Sequence, residues 1–202
     1  KKGGELEGWR QFFAVWMPDE LRGEAAVEHF QRCRAYLDGQ LTKHADKISL
    51  CRTAKELCEA EKQGKCAAIL SVEGSAAAGG RVDGIDALYE AGVRMMTLTW
   101  NFPNELAFPN ARITEEDGTF RMAPDTEHGL TDTGIAFVQE MERLGMIIDI
   151  SHLNDAGIWD VFRHTRKPFV ASHSNARALA SHPRNLTDDM IRALAERGGV
   201  MG

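Results

Sequence analysis

Short apolar runs alternate with amphipathic segments along most of the chain. In the amphipathic segments, apolar residues recur every three or four positions, which is typical of helices with one buried face. The apolar runs predict strands at residues 9–16, 66–72, 94–100, 146–150 and 169–171, and a further strand that begins after residue 198. The amphipathic segments predict helices at residues 24–43, 53–63, 83–90 and 131–144, and two more after residues 154 and 187. Strands that are apolar throughout and separated by helices indicate a parallel sheet covered by helices.

Two architectures produce this alternation, a doubly wound sheet and a (β/α)8 barrel. No GxGxxG motif follows any predicted strand, so the sequence gives no support for dinucleotide binding. Four predicted strands end in residues suited to chemistry or recognition: Glu73, Trp100, His152 and His173. The carboxyl ends of barrel strands meet on one face, where barrel enzymes place their reactive groups. A barrel would therefore bring a glutamate and two histidines together.

Glu73, His152 and His173 are candidate metal ligands. Imidazole nitrogen and carboxylate oxygen are the usual ligands of Zn²⁺ in hydrolytic sites, and a carboxylate can bridge two ions. The alternative is structural, because a single histidine at a strand end is commonly a capped or solvated residue. The two histidines each follow a serine and lie on two successive strand–helix units. This repetition favours the metal hypothesis, but the structural alternative stays open.

Arg184 and the segment 101–129 are candidates for contact with a substrate. Arg184 lies in a turn after the last complete strand, where its guanidinium could clamp a carboxylate. Spacing alone favours an ordinary surface arginine at that position. Residues 101–129 contain three prolines and a charged turn and predict one long loop. Long loops in compact domains are usually functional, so this segment is a candidate active-site loop.

The composition limits the classes of partner. The 202 residues contain 24 Lys and Arg against 30 Asp and Glu, a net charge of −6, which argues against a nucleic-acid partner. No apolar run approaches the roughly 18–20 residues of a membrane span. The four cysteines form no CxxC pair, which favours a reducing compartment, so we expect a cytoplasmic protein. The chain lacks an initial Met and ends in an apolar stretch, so we expect an internal segment of a longer protein.

Several short stretches together resemble the membrane (renal) dipeptidase family of metallopeptidases. They are residues 71–74 (SVEG), 129–131 (GLT), 140–145 (EMERLG), 149–152 (DISH), 171–177 (ASHSNAR) and 182–186 (HPRNL). The resemblance runs from about residue 9 to the end of the chain. It implies an amidohydrolase-like (β/α)8 TIM barrel that hydrolyses dipeptides with two zinc ions per complete subunit. Residues 1–202 would then form a single incomplete peptidase domain containing roughly barrel strands 2–7.

The resemblance also implies roles for individual residues. Glu73 would bridge both metals and His152 and His173 would bind the second one, while Arg184 would hold the carboxylate of a dipeptide substrate. A water bridged by the metals would then attack the peptide carbonyl. The family's first-strand His-x-Asp and last-strand Asp have no counterpart in these residues. Homodimerisation is an expectation from the family alone.

Trp100, followed by Asn101, stands where the family usually has a histidine that contacts substrate. Both residues are therefore candidate substrate contacts. Tryptophan donates one N–H and offers no acid–base chemistry, so the substrate preference is open. The second hypothesis is a two-metal amidohydrolase that acts on another amide, a lactone or an N-acyl amino acid. The third is an inactive barrel with a binding role, against which the joint presence of Glu73, His152, His173 and Arg184 argues.

Overall fold

A parallel sheet runs through the structure, and α-helices pack against it. The computed structural model describes residues 8–202. Its strands are β1 (Arg10–Trp16), β2 (Ile48–Leu50), β3 (Cys66–Glu73), β4 (Val93–Thr97), β5 (Ala111–Thr114), β6 (Phe120–Ala123), β7 (Ile147–Asp149), β8 (Val170–Ala171) and β9 (Val200–Met201). Its α-helices are α1 (Gly23–Lys43), α2 (Ala54–Lys62), α3 (Asp83–Glu90), α4 (Asp132–Leu144), α5 (Asp155–His164) and α6 (Asp188–Glu196).

The strand order separates the two architectures that the sequence leaves open. The sheet runs β1-β3-β4-β7-β8-β9, and each of these neighbouring pairs is parallel. The spatial order thus follows the chain without a reversal. A doubly wound sheet reverses its strand order at a switch point, whereas a (β/α)8 barrel adds each strand beside the previous one. The described sheet therefore has barrel topology.

The core lies between the sheet and its helices. Leu70 and Val72 of β3 are 0% and 1% exposed, and Phe137 and Met141 of α4 are fully buried against this layer. Burial of such side chains contributes about 1.5–3 kcal/mol each, which explains why the buried positions of these elements are mostly apolar. The predicted α/β pattern is confirmed, with α1 to α4 within one residue of their expected bounds and with α5 and α6 beginning directly after residues 154 and 187, as expected.

Polar side chains cap the N-termini of helices α4, α5 and α6. The side chains of Thr131, Asn154 and Thr187 each accept a hydrogen bond from a backbone N–H in the first turn of α4, α5 and α6. Such a cap is worth about 1 kcal/mol, and it stops the chain from continuing as a helix in the N-terminal direction. The caps thereby fix the residues at which α4, α5 and α6 begin.

Three parts of the sequence-based prediction need correction. Strand β2 was not predicted, because its three residues follow a polar stretch and carry no clear periodicity; they pair with only the first three residues of β3. Strand β4 ends at Thr97, so Trp100 lies in the turn beyond the strand. The segment 101–129 is not a continuous loop, since β5 and β6 form an antiparallel hairpin within it.

The hairpin escapes prediction for a physical reason. It stands away from the core, and Arg112 and Phe120 are exposed, so its strands lack an apolar face that would reveal their period of two. The proposed division into one domain over residues 1–202 remains a prediction, and residues 1–7 lie outside the described part. Among the described residues, no helix combines the length and the apolar character needed to cross a bilayer.

Gly134 gives a stability test of the contact between α4 and the long segment. A Cβ atom there would lie 2.1 Å from the backbone oxygen of Leu106, so either the helix or the segment must shift. We expect Gly134→Ala to lower the free energy of unfolding by roughly 1–3 kcal/mol. Gly39→Ala in α1 is the matched control, because no heavy atom lies within 4 Å of its added methyl group. Urea titration should show the control unchanged or up to about 1 kcal/mol more stable; equal losses in both variants would contradict the steric account.

Candidate metal centre

Three side chains converge at the carboxyl edge of the sheet. Glu73 is the last residue of β3, His152 follows β7 by three residues, and His173 follows β8 by two. The Nε2 atoms of His152 and His173 are 2.9 Å apart. Oε1 of Glu73 lies 3.1 Å from the first of these nitrogens and 3.3 Å from the second. The structure thus brings together the three residues that the sequence singled out as metal ligands.

These separations suit a single metal ion. Zinc binds histidine nitrogen and carboxylate oxygen at about 2.0–2.2 Å, so ligand atoms around one tetrahedral ion lie about 3.3 Å from each other. Two imidazole nitrogens and a carboxylate oxygen that face a common point need protons or a cation between them to offset the repulsion of their lone pairs, and a cation would satisfy all three at once. Within residues 8–202, Glu73, His152 and His173 form the group of three candidate ligands with atoms close enough for this role.

The protonation states favour metal binding. Burial lowers the pKa of His152, whose side chain is 5% exposed, so its imidazole is neutral near pH 7. Hydrogen bonds from His152 and then from His173 lower the pKa of Glu73 to about 2. The carboxylate is therefore ionised and the buried imidazole is neutral, and these are the charge states in which both groups bind metals.

Local backbone structure aims the ligands. Gly74 has φ of 100°, a conformation that favours glycine, and its N–H donates to Oγ1 of Thr97 on the neighbouring strand. This turn ends β3 directly after Glu73. His152 has φ of 72°, the one positive φ outside glycine among the described residues. Such a conformation costs about 1–3 kcal/mol and is typical of functional positions, where the surrounding structure holds it in place.

A buried carboxylate behind the ligands orients His173. Asp149 is 1% exposed, and its Oδ1 accepts the backbone N–H groups of Ser151 and Ser172 at 3.0 and 2.9 Å. Its Oδ2 accepts the hydroxyl of Ser172. Because that hydroxyl donates to Asp149, its oxygen must accept the Nδ1–H of His173, which lies 2.7 Å away. The proton on Nδ1 leaves Nε2 of His173 free for the metal.

Sequence reasoning assigned no role to Asp149 or Ser172. The signal was present in the repeated Ser-His pairs and in the aspartate three residues before His152, but a carboxylate beside a strand end has many ordinary uses. The role of Asp149 depends on the distance between the ends of β7 and β8, and this distance is known only once the fold is known.

A pocket of about 290 Å³ opens beside the three ligands. Its lining includes His152 and all of the residues predicted to contact substrate, Arg184, Trp100 and Asn101. The β5–β6 hairpin adds Arg112, Phe120 and Met122 to the same pocket.

Trp100 and Arg184 both line this pocket. The centre of the Trp100 ring lies 6.0 Å from the centre of the His152 ring. Trp100 also makes an edge-to-face contact with Trp16, with the ring centres 5.2 Å apart. The sequence analysis placed Trp16 in a strand and gave it no role. Burial lowers the pKa of Arg184. Its Nε is buried without a hydrogen-bond partner among the described residues, and its Nη2 lies 3.4 Å from the backbone oxygen of His173. A guanidinium left short of partners in this way favours an anionic ligand.

A barrel-type sheet with two histidines and a glutamate at its carboxyl edge is typical of metal-dependent hydrolases with a (β/α)8 barrel. The chain belongs to the membrane dipeptidase family (peptidase family M19), whose family model matches residues 5–202. The resemblance noted in the sequence is thereby confirmed.

Similar proteins agree with this assignment. The uncharacterized protein in the pqqA 5′ region of Klebsiella pneumoniae is 37% identical over 81% of this chain. The crystal structure of dipeptidase AC, a metallopeptidase of family M19, is 30% identical, covers 100% of this chain and 60% of its own, and superposes with a TM-score of 0.88. A metallopeptidase from Rhodobacter sphaeroides, liganded with a phosphinate mimic of L-Ala-D-Ala, is 27% identical with a TM-score of 0.86 over 100% of this chain and 62% of its own. These structures confirm the predicted barrel class.

The chain spans about half the length of the curated relatives that it matches, 58% of the Klebsiella protein and 53% of a protein from Acinetobacter calcoaceticus.

The Asp149–Ser172–His173 chain predicts a tautomer effect on zinc affinity. In Asp149→Asn, the new amide N–H donates to the Ser172 oxygen, so the serine hydroxyl is free to donate to Nδ1 and the histidine proton moves to Nε2. We expect the zinc affinity of this site to fall by about 10–100-fold, measured by competition with a chromophoric chelator.

Asp160→Asn serves as the matched control. Asp160 is also a largely buried carboxylate that accepts a backbone N–H, from Leu130, but it contacts none of the three ligands. Its zinc affinity should equal that of the unmodified protein. Equal affinities for Asp149→Asn and the control would show that Asp149 is a structural anchor without influence on the metal site.

Proposed function

We propose that the complete protein is a metal-dependent dipeptidase in which Glu73, His152 and His173 bind zinc. The observation that carries the proposal is the convergence of these ligand atoms to within about 3 Å of one another, beside a pocket lined by Arg184, whose buried Nε has no hydrogen-bond partner among the described residues. In keeping with the family, we propose two zinc ions per complete subunit, with Glu73 bridging them.

Each residue of the site would have a separate role in hydrolysis. When bound, zinc would polarise the scissile carbonyl and activate the attacking water. Glu73 stays ionised because its pKa is about 2, so it holds its ligand position throughout the physiological range. Asp149, acting through Ser172, keeps His173 in the tautomer that a metal needs. Trp100 and Trp16 form an apolar wall that excludes water from one side of the site.

Arg184 would fix the substrate by its C-terminal carboxylate. Part of its charge is already desolvated, so a carboxylate that pairs with it replaces little water and gains a charge-assisted hydrogen bond. The described lining of the pocket contains arginine and histidine side chains and no carboxylate, which complements an anionic ligand.

The segment 101–129 would act as the active-site loop. Its hairpin presents Phe120, which is 54% exposed, and the guanidinium of Arg112 lies 3.9 Å from the centre of that ring. A half-exposed aromatic ring beside a catalytic pocket gains burial when a substrate side chain covers it. We assign the side-chain preference to this hairpin together with Trp100 and Asn101.

A second candidate is hydrolysis of an N-acyl amino acid or a related amide or lactone by the same centre. Trp100 favours it, because indole replaces a histidine at this position and has no acid–base chemistry to offer.

The first experiment measures metal content and hydrolysis together in the complete protein. We expect about two zinc ions per subunit and cleavage of apolar dipeptides that is lost on chelation and restored by zinc. Glu73→Gln should lose at least one ion and nearly all activity, because the neutral amide is a poor metal ligand. Asp160→Asn should match the unmodified protein in both measurements.

The substrate panel decides between the candidates. Cleavage of N-acyl amino acids without cleavage of dipeptides would transfer the assignment to the second candidate. A protein that binds metal but cleaves neither class, or that binds no metal, would overturn the enzyme proposal and support a binding role for the barrel.

Phe120→Ala tests the loop assignment. Loss of a half-exposed ring removes roughly 1.4 kcal/mol of burial on substrate binding, so we expect the KM for an apolar dipeptide to rise about tenfold. Zinc content and kcat should stay unchanged, since Phe120 touches neither the ligands nor Arg184. Leu179→Ala is the control, because Leu179 is 86% exposed and lies outside the pocket. An unchanged KM in Phe120→Ala would remove the hairpin from the site.

A further inference from the structure

A buried ion pair lies behind the turn that carries Arg184. Nη1 and Nη2 of Arg177 donate to the two carboxylate oxygens of Asp155 at 2.8 and 2.7 Å. The two side chains are 20% and 8% exposed. Asp155 is the first residue of α5, and the partial positive charge of a helix N-terminus stabilises its carboxylate further. The geometry is bidentate, which only a planar guanidinium provides.

The same guanidinium also holds the backbone on both sides of Arg184. Nη2 of Arg177 donates to the carbonyl oxygen of Pro183 at 2.7 Å, and Nε donates to that of Asn185 at 2.8 Å. The amide of Asn110 donates to the Pro183 oxygen as well, at 3.0 Å. Arg177 therefore fixes the residues directly before and after Arg184.

Asp155 connects this clamp to the metal centre. It lies three residues after His152, on the first turn of the helix that follows β7. The connection runs from the His152 segment through the carboxylate of Asp155 and the guanidinium of Arg177 to the Arg184 turn. Each link is a hydrogen bond of 2.7–2.8 Å between buried or half-buried groups.

We propose that Arg177 and Asp155 are positioning residues that set the distance between the Arg184 guanidinium and the metal ligands. They would thereby control how a substrate carboxylate is held while its carbonyl lies at the metal centre. This proposal rests on the proposed role of Arg184 as the carboxylate anchor. Neither residue touches substrate; both act through the backbone of the turn.

Lysine cannot take the place of Arg177 in this arrangement. Lysine at position 177 keeps the positive charge but offers one compact ammonium, which cannot reach Asp155 and both carbonyls together. The turn would lose at least one of its two carbonyl contacts, and Arg184 would sample more positions. A displacement of about 1 Å in a positioning group can cost up to 100-fold in the reaction it supports.

The test compares Arg177→Lys and Asp155→Asn in the metal-loaded complete protein. Two substrates are used, a dipeptide with a free C-terminal carboxylate and the same dipeptide as its C-terminal amide. We expect Arg177→Lys to raise the KM for the free acid about tenfold, with kcat within about twofold and zinc content unchanged. The KM for the amide should not change, because the amide does not use the anchor. Asp155→Asn should give a smaller effect of the same kind, and the double variant should be less than additive.

Arg197→Lys is the matched control. Its guanidinium also donates to two backbone carbonyls, those of Thr165 and Phe162, but these lie at the C-terminal end of α5 and not at the carboxyl ends of the strands. It should lower stability without changing either KM. An equal rise in KM for acid and amide, a loss of zinc, or the same KM change in Arg197→Lys would overturn the proposal.

The failure of the proposed function has a different signature. If the unmodified protein does not discriminate acid from amide, the anchor role of Arg184 is wrong and the positioning role falls with it. If the unmodified protein discriminates and Arg177→Lys does so equally well, the positioning proposal alone is wrong. Hydrogen exchange of residues 182–186 gives a readout that needs no turnover. Faster exchange in Arg177→Lys than in Arg197→Lys is expected, and unchanged exchange overturns the proposal.

Discussion

The buried carboxylate of Asp149 is the constraint on which the candidate metal centre depends. A carboxyl group at 1% exposure is costly unless each oxygen finds hydrogen-bond donors, and here the donors come from Ser151 on its own strand end and from Ser172 on the next. Satisfying this one group draws the ends of β7 and β8 together. His152 and His173 follow those serines directly, so the contact that satisfies the carboxylate also brings the two imidazoles to 2.9 Å.

A second buried charge organises the other half of the site. Asp155 and Arg177 neutralise each other, and the spare donors of the guanidinium reach the carbonyls around Arg184. Both carboxylates lie within the segment 149–155, which leaves β7 and begins α5. His152, whose backbone has a positive φ, lies between these two carboxylates. The hydrogen bonds of Asp149 and Asp155 hold the chain on either side of this strained residue. One short segment thus relates the metal ligands to the guanidinium proposed to bind substrate.

Much of this could be predicted from the sequence, and the reason is periodicity. The apolar runs of β3 and β7 and the capped helices α4, α5 and α6 stand out because burial repeats along them at a fixed interval. Glu73, His152 and His173 stand out because each follows such a run at the point where barrel strands end. The length of β4 was overestimated at Trp100, since the buried residues of the following turn, Leu98 and Thr99, continue the apolar pattern beyond the strand.

What could not be predicted depends on pairs that are distant in the chain. Arg177 and Asp155 are 22 residues apart, and Asp149 and Ser172 are 23 apart. Neither pair has a periodic signal, because each is one side chain that meets a partner once. The hairpin was missed because exposure removes the apolar alternation that identifies a strand. The apolar residues of the core recur at regular intervals along the sequence, whereas the polar residues that orient the site occur singly. Sequence patterns therefore locate the ligands of this centre more readily than the groups that aim them.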